Sequence, residues 1–279
     1  MMYLSELIKS AFRIRSDKMA TDPVHAFRVG TKRVRSVLRL SKQTSRRRKK
    51  IKVLRNLARE LAPLRDTIIL NEQLNLALAA DQASLKPIET EMIQKQLERR
   101  ATQLSSSRNE TLKRVGLGLK KIAADSTHER KEVLSESDLI AALCRSYRQA
   151  KRSQANCQKQ RSVSEFHEWR KSTKILQYQL EAVLKYQRPK NKTVSALSDL
   201  ADLLGQIQDL SAFVRFLKNH RAHSGKMRHT LRRKRSKLES EALNDGDKVF
   251  KFKAKHWIKD ALVPPLRHGL GRPADRAQK

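Results

Sequence analysis

Aromatic residues are scarce in this chain: only 5% of 279 residues are Phe, Trp or Tyr. That argues against a protein that reads bases mainly by stacking them on aromatic platforms. Glycine (8) and proline (7) are few for the length, so the chain has little material for a loop-built or turn-rich β architecture. The two cysteines, Cys144 and Cys157, lack the partners and spacing of a zinc site and are expected to be reduced thiols rather than a disulfide framework. No apolar run approaches a membrane span. The first fifteen residues, MMYLSELIKSAFRIR, are amphipathic but carry neither the apolar core nor the cleavage site of a signal peptide. A cytoplasmic protein is expected. Acid is also short, with 28 Asp+Glu against 62 Lys+Arg, a formal charge of +34. Such an excess exceeds what solubility needs and implies an anionic partner: nucleic acid, a phosphate polymer or an acidic membrane surface.

What is present is helix-forming. Leu, Ala, Lys, Arg, Gln and Glu dominate, and no segment shows sustained period-2 alternation. An all-α fold is expected. The pattern predicts helices over 3–20 and 24–40, then over 46–62 with Pro63 breaking or kinking the chain, and over 64–80. Further helices are expected over 88–105, 109–123 (weakened by Gly116 and Gly118), 138–150, 163–186, 193–204, 209–220, 226–243 and 247–262. Residues 149–163 read as a mobile loop or a frayed extension. The tail after 262, rich in Pro, Gly and charge, is expected to be disordered.

The most informative stretch is Val24–Leu40, VHAFRVGTKRVRSVLRL. Asp22-Pro23 is a good helix start. His25, Arg28, Lys32, Arg35 and Arg39 follow a 3-4-3-4 spacing and share about a quarter of the circumference. Val24, Phe27, Thr31, Val34 and Leu38 form the adjoining, mostly apolar stripe. No carboxylate lies between Val24 and Thr44 to offset the repulsion within this file of cations. One reading is a rail for an extended polyanion; the other is a solvated basic face.

An internal repeat separates the two readings. Val163–Glu181, VSEFHEWRKSTKILQYQLE, places His167, Arg170 and Thr173-Lys174 each 142 residues after His25, Arg28 and Thr31-Lys32. A second echo follows: LRNLARELAPLRD ends at Asp66 and LSDLADLLGQIQD at Asp209. A merely solvated face has no reason to recur as His-x-x-Arg-x-x-Thr-Lys. A tandem duplication is expected, with repeats over 1–124 and 137–262, a connector over 125–136 and the tail over 263–279.

VHAFRVGTKRVRSVLRL resembles the first signature of the CHAD family, the histidine-centred all-α domain. HEWRKSTKILQYQLE, with Tyr178 and Glu181, is similar to its second. ELAPLRD and DLLGQIQD resemble the family's paired segments ending in Asp. The resemblance covers nearly the whole chain. It implies two tandem, pseudo-symmetric helical bundles around a basic central channel that binds inorganic polyphosphate. Two departures stand out: Pro63 where the family's first copy usually has Gly, and Gln177 where a basic residue is usual. The Glu-x-Glu-x-Lys motif of the triphosphate-tunnel domain that adjoins many relatives is absent, since Glu89-Thr-Glu91 precedes Met-Ile and Glu239-Ser-Glu241 precedes Ala-Leu.

The expected site therefore comprises His25, Arg28, Lys32, Arg33, Arg35 and Arg39 from the first rail and His167, Arg170, Lys171 and Lys174 from the second. Arg supplies planar donor forks to phosphate oxygens, Lys a point charge, and protonated His a short donor. The histidines have other readings: a buried structural imidazole, a metal ligand, or a general base. The preferred one is a phosphate ligand that gains charge below about pH 6.5. No carboxylate cluster for a metal and no P-loop is legible. A non-enzymatic polyphosphate binder, targeting the protein to polyphosphate granules and needing no cofactor, is the leading expectation. A general nucleic-acid-binding protein is the alternative, nucleic acid being a competing polyanion in either case. Arg46–Lys50 and Lys226–Lys237 are basic runs whose part in the groove stays open.

Overall fold

The computed structural model describes residues 2–5, 8, 22–80, 87–124, 132–184, 192–220 and 225–262. The helix expected over 3–20 falls mostly outside these, as do residues 125–131 of the expected connector and the tail after 262. Among the described residues the fold is all-α apart from one short ribbon. Its helices are α1 (Pro23–Val37), α2 (Ser45–Glu60), α3 (Ala62–Ala80), α4 (Pro87–Ala124), α5 (Glu136–Gln160), α6 (Val163–Leu184), α7 (Lys192–Asn219), α8 (Gly225–Val249) and α9 (Ala254–Leu262). No described helix is long and apolar enough to cross a membrane.

Local chemistry explains most boundaries. The Asp22 carboxylate accepts from the His25 backbone N–H at 2.9 Å and Pro23 takes the first helical position, starting α1. The Thr44 hydroxyl accepts from Arg47 N to start α2, and Ser135 does the same for Asp138 N at α5. Pro63 acts as expected. It cannot donate into the helix ladder, so α2 ends at Glu60 and α3 restarts at Ala62. α5 ends at Arg161 in the left-handed region (φ 45).

Four expectations need correction. The helices expected over 88–105 and 109–123 are one helix, α4. Its three serines satisfy themselves on the ladder, Ser105 donating to Thr102 O at 2.7 Å, with Ser106 and Ser107 following suit. Gly116 lies against the Phe27 ring and Gly118 against Leu57. These glycines therefore sit at helix contacts rather than at a break. Residues 149–160 are helical, not a loop: Ala150, Ser153, Gln154 and Cys157 are buried at helical spacing, and Gln154 and Gln158 both donate to Asp247. The segments over 193–204 and 209–220 form a single α7, because Leu197, Leu200, Leu204, Ile207 and Leu210 keep one stripe buried straight through Gly205. Finally α8 continues to Val249, and only 254–262 of the last expected helix is a separate element. The Tyr147 hydroxyl, donating to Phe252 O at 2.8 Å, pins the turn between them.

The ribbon pairs Met2–Tyr3 with Val133–Leu134 antiparallel, Met2 opposite Leu134. Leu4 N–H continues the pairing to Glu132 O at 3.0 Å.

Packing ties both halves into shared cores. α5, α6, α7 and α8 pack successively, α1 lies on α2, and α4 lies along α2 and α3. Across the halves, α1 packs on α6 and α3 on α7. One continuous core runs from Leu4 and Val24 through Leu54, Leu119, Trp169 and Leu200 to Ile258. A second joins the far ends of four helices through Leu70, Ile93, Phe213 and Met227.

Candidate functional site

The α1–α6 contact brings the two rails together. Gln179 Nε2, on a buried side chain, donates to Ser36 O at 2.9 Å. The Arg33 guanidinium reaches the Glu181 carboxylate at 3.3 Å and lies 5.6 Å from the Tyr178 ring centroid. Lys32 feels both Arg170 and Lys174. Low-numbered residues of α1 thus meet low-numbered residues of α6, and high meet high, the pattern of two helices running the same way.

Each rail turns its apolar stripe inward. Val24, Thr31 and Val34 on α1 are buried, as are Phe166, Trp169, Thr173, Leu176 and Leu180 on α6. Arg28, Lys32, Arg35, Arg170 and Lys174 beside them are therefore half-buried rather than free in water, while Arg39 is exposed. Arg28 donates from Nη1 to Ala58 O at 3.0 Å, which fixes it against α2. Burial pulls its guanidinium below the ordinary value, with Asp66 opposing and Arg65 and Arg170 adding to the shift. Lys32 is affected most. Burial, then Arg170, Arg28, Lys174 and Arg35, push its ammonium down to about 7. Arg170 lies across Gly205: a Cβ there would sit 3.3 Å from Nε, so the missing side chain makes room for the guanidinium. That Nε is buried without a hydrogen-bond partner. Lys174 is held by Asp202 at 3.1 Å and lies 5.9 Å from the Tyr178 ring centroid.

Two aspartates face this group. Asp66 acts on Arg28. Asp209 acts together with Arg170, Arg65 and Lys32; burial raises its carboxyl above the usual range while those cations resist. Arg65 itself bridges Asp22 at 3.3 Å and Glu72 at 3.6 Å. The paired Asp segments legible in the sequence thus lie beside the rails.

The expected residues do not all share one environment. Arg28, Lys32, Arg170 and Lys174 form the centre. His25 and His167 occupy the first two turns of α1 and α6, both half-buried. Arg35 lies further along α1 and Arg39 in the turn just past its end; burial and the neighbours Arg55 and Arg59 lower Arg35, and burial and Arg55 lower Arg39. Arg33 is engaged with Glu181 and Tyr178. Lys171 is exposed and paired with Glu168 at 2.7 Å. Sequence reading missed Arg55 and Arg59. The signal was available: Arg48, Lys52, Arg55 and Arg59 are spaced 4-3-4 on one face of α2, the same rule that exposes the α1 rail.

Comparison with known proteins identifies the family. The family model of the CHAD domain matches residues 3–218. The chain belongs to the CHAD domain family. No curated protein and no solved structure gives a significant match. CHAD domains are known in general for polyphosphate binding. Both rails, both Asp segments and Arg55 and Arg59 fall within the matched residues. The match ends inside α7, so α8 and α9 of this CHAD protein lie beyond it.

Proposed function

We propose that this CHAD protein binds inorganic polyphosphate, without catalysing its turnover, along the cations that α1, α6 and α2 bring together. Under this reading the chain is a tandem duplication, and the polymer runs in a basic channel between the two repeats. It passes Arg28, Lys32, Arg170 and Lys174, with His25 and His167 at one end and Arg35, Arg39, Arg55 and Arg59 at the other. The observation that carries the proposal is Lys32. Four cations crowd it, and its ammonium is pushed down to about 7. Such crowding costs free energy unless an anion sits among the charges. A solvated basic face would spread its charges into water instead. A polymer of phosphates fits because it supplies one negative unit after another along the rails, and much of the binding free energy then comes from counterion release. Association with polyphosphate granules follows from the same affinity. General nucleic-acid binding is the competing reading, since the same charge neutralises any phosphate backbone.

The test is a binding titration with long-chain polyphosphate and duplex DNA at about 0.2 M salt. Polyphosphate should outcompete DNA, and Arg28→Glu with Lys32→Glu should abolish polyphosphate binding while circular dichroism keeps its helical signal. A double variant that binds like the parent refutes the channel. DNA outcompeting polyphosphate selects the nucleic-acid reading. Phosphate release in the presence of Mg²⁺ would overturn the non-catalytic assignment.

A further inference from the structure

The turn between α8 and α9, residues 250–253, lies beyond the residues that the family model matches, and α9 packs chiefly on α5. Its two phenylalanines are sorted oppositely. Phe250 is buried, its ring 5.3 Å from that of Tyr147. Phe252, two residues on, is 47% exposed, and among the described side chains it is the one exposed aromatic ring. Chain slack does not explain that exposure. The Tyr147 hydroxyl donates to Phe252 O at 2.8 Å, Phe250 N–H to Gly246 O at 2.8 Å, and Trp257 N–H to Lys253 O at 3.1 Å. The backbone is tied on both sides of Phe252. The ring is therefore held out into water by a fixed turn, at a cost in hydrophobic free energy that burial would remove.

Cations surround this ring. Lys251, Lys253, Lys255 and Lys259 are all exposed, and none pairs with a carboxylate among the described residues. Lys251 Nζ lies 5.8 Å from the Phe252 ring centroid. His256 meets the same ring at 5.5 Å and 69°, which sets Phe252 against the outer face of α9. Lys255, His256 and Lys259 lie within about 100° of one another around that helix. Arg148 of α5, also exposed, acts together with Lys255 on the Cys144 thiol and so flanks the same face. The single carboxylate of α9, Asp260, is taken by His256 at 3.2 Å.

A bare phosphate polymer would use these lysines and gain nothing from the ring. A nucleic-acid base needs an open ring face to stack on, and here Lys251 and His256 crowd it. The edge of an acyl layer needs only the tip of a ring that is already exposed, with cations around it at the level of the headgroups. Anionic lipid attracts each of those cations. With 9 residues, α9 cannot span a bilayer, so the contact is with the surface of one leaflet.

We propose that the α8–α9 turn is a docking site for an anionic membrane surface. Phe252 inserts at the boundary between headgroups and acyl chains, while Lys251, Lys253, Lys255, Lys259 and Arg148 meet the lipid phosphates. The site uses none of the residues of the polymer route and does not depend on that reading.

The experiment uses the full chain and vesicles of phosphatidylcholine, alone or with about 30% phosphatidylglycerol, at about 0.15 M salt. The parent should sediment with the anionic vesicles and stay in solution with the neutral ones. A chain of charge +34 is drawn to any anionic surface, so the deciding readouts are local. Phe252→Ser should weaken vesicle binding at least fivefold and leave polyphosphate affinity unchanged. Lys253→Glu with Lys259→Glu should weaken vesicle binding at least tenfold. The charge-matched pair Lys113→Glu with Lys120→Glu on α4, also exposed, should weaken it less than twofold. Emission from Phe252→Trp should move to the blue on anionic vesicles and be quenched when their acyl chains are brominated; the buried Trp169 and Trp257 supply the baseline. The replaced side chains face outward and the Tyr147 bond is to backbone, so the helical signal should hold in every variant. No sedimentation of the parent, Phe252→Ser binding like the parent, equal losses in the two charge pairs, or Phe252→Trp emission unchanged by lipid each overturns the proposal. Quenching of Phe252→Trp by single-stranded DNA but not by brominated lipid overturns it too and assigns the turn to nucleic acid.

Discussion

Lys32 of α1 and Arg170 of α6, from opposite halves of the chain, press like charges together across the contact between the rails. After burial, Arg170 is the strongest influence holding the Lys32 ammonium down to about 7. In the unfolded chain this lysine titrates near its ordinary value of 10.5. Between those two values the unfolded state therefore binds more protons than the folded state, and stability rises with pH. Below about pH 7 both states are protonated and the penalty is at its full, constant size. The ligand-free protein should gain stability from pH 7 to 10 through this group, and Lys32→Met should flatten that part of the profile. A polyphosphate segment reverses the balance by favouring the ammonium. Binding at pH 8 should therefore take up close to one proton, measured by calorimetry in buffers of different ionisation enthalpy. Lys32→Met should abolish the uptake.

Arg55 and Arg59 test how far the route extends. They face Arg35 and Arg39. They are also exposed, so replacing them removes charge without opening the core. Arg55→Glu with Arg59→Glu should weaken polyphosphate binding by at least tenfold. The dependence of log affinity on log salt should become shallower by roughly one unit per cation removed. Equal affinity and an unchanged salt slope would confine the route to α1 and α6.

The paired threonines of the two rails should behave oppositely. Both are fully buried. The Thr31 hydroxyl donates to Arg28 O at 2.8 Å, whereas Thr173 Oγ1 has no hydrogen-bond partner. Thr31→Val should cost about 1 kcal/mol, the typical net worth of a buried hydrogen bond. Thr173→Val removes an unsatisfied hydroxyl and should be neutral or stabilising. Denaturant midpoints compare the two directly, and equal losses would contradict the asymmetry.

Gly246 should tolerate no side chain. A Cβ there would sit 2.5 Å from Trp169 Cζ2 and 2.8 Å from Gln154 Nε2, and Trp169 is fully buried. The rigid indole cannot swing aside as an aliphatic tip could. Overpacking of this kind costs about 1–3 kcal/mol, and the better helix propensity of alanine returns at most about 1 kcal/mol. Gly246→Ala should therefore lower stability and shift Trp169 fluorescence. A more stable variant with an unchanged spectrum would show that α8 simply moves outward.

Much of this was legible in the residues because it depends on period and caps. The α1 rail needed only the 3-4 spacing and Asp22-Pro23. The break at Pro63 needed only a missing N–H. The α6 rail needed the 142-residue offset. The lengths of α4 and α7 were not legible: the serines at 105–107 read as a break until their hydroxyls are seen donating to the helix's own carbonyls, and Gly205 does so until Arg170 is seen to occupy the space it leaves. Residues 149–160 looked too polar for an ordered helix, since nothing local indicates that Gln154 and Gln158 meet Asp247. Arg55 and Arg59 went unnoticed for a similar reason. Their spacing is clear, but only the fold turns that face toward Arg35 and Arg39.

The two rails differ at one end. Where the first rail ends with Arg35 and, just past α1, Arg39, the corresponding positions of α6 are Gln177 and Glu181, which bond each other at 2.7 Å. A phosphate chain reads the same forwards and backwards, yet the proposed channel would not. With arginines on one wall of that end and a nearly neutral wall beside them, a free end of the polymer should be captured first where the guanidinium groups gather.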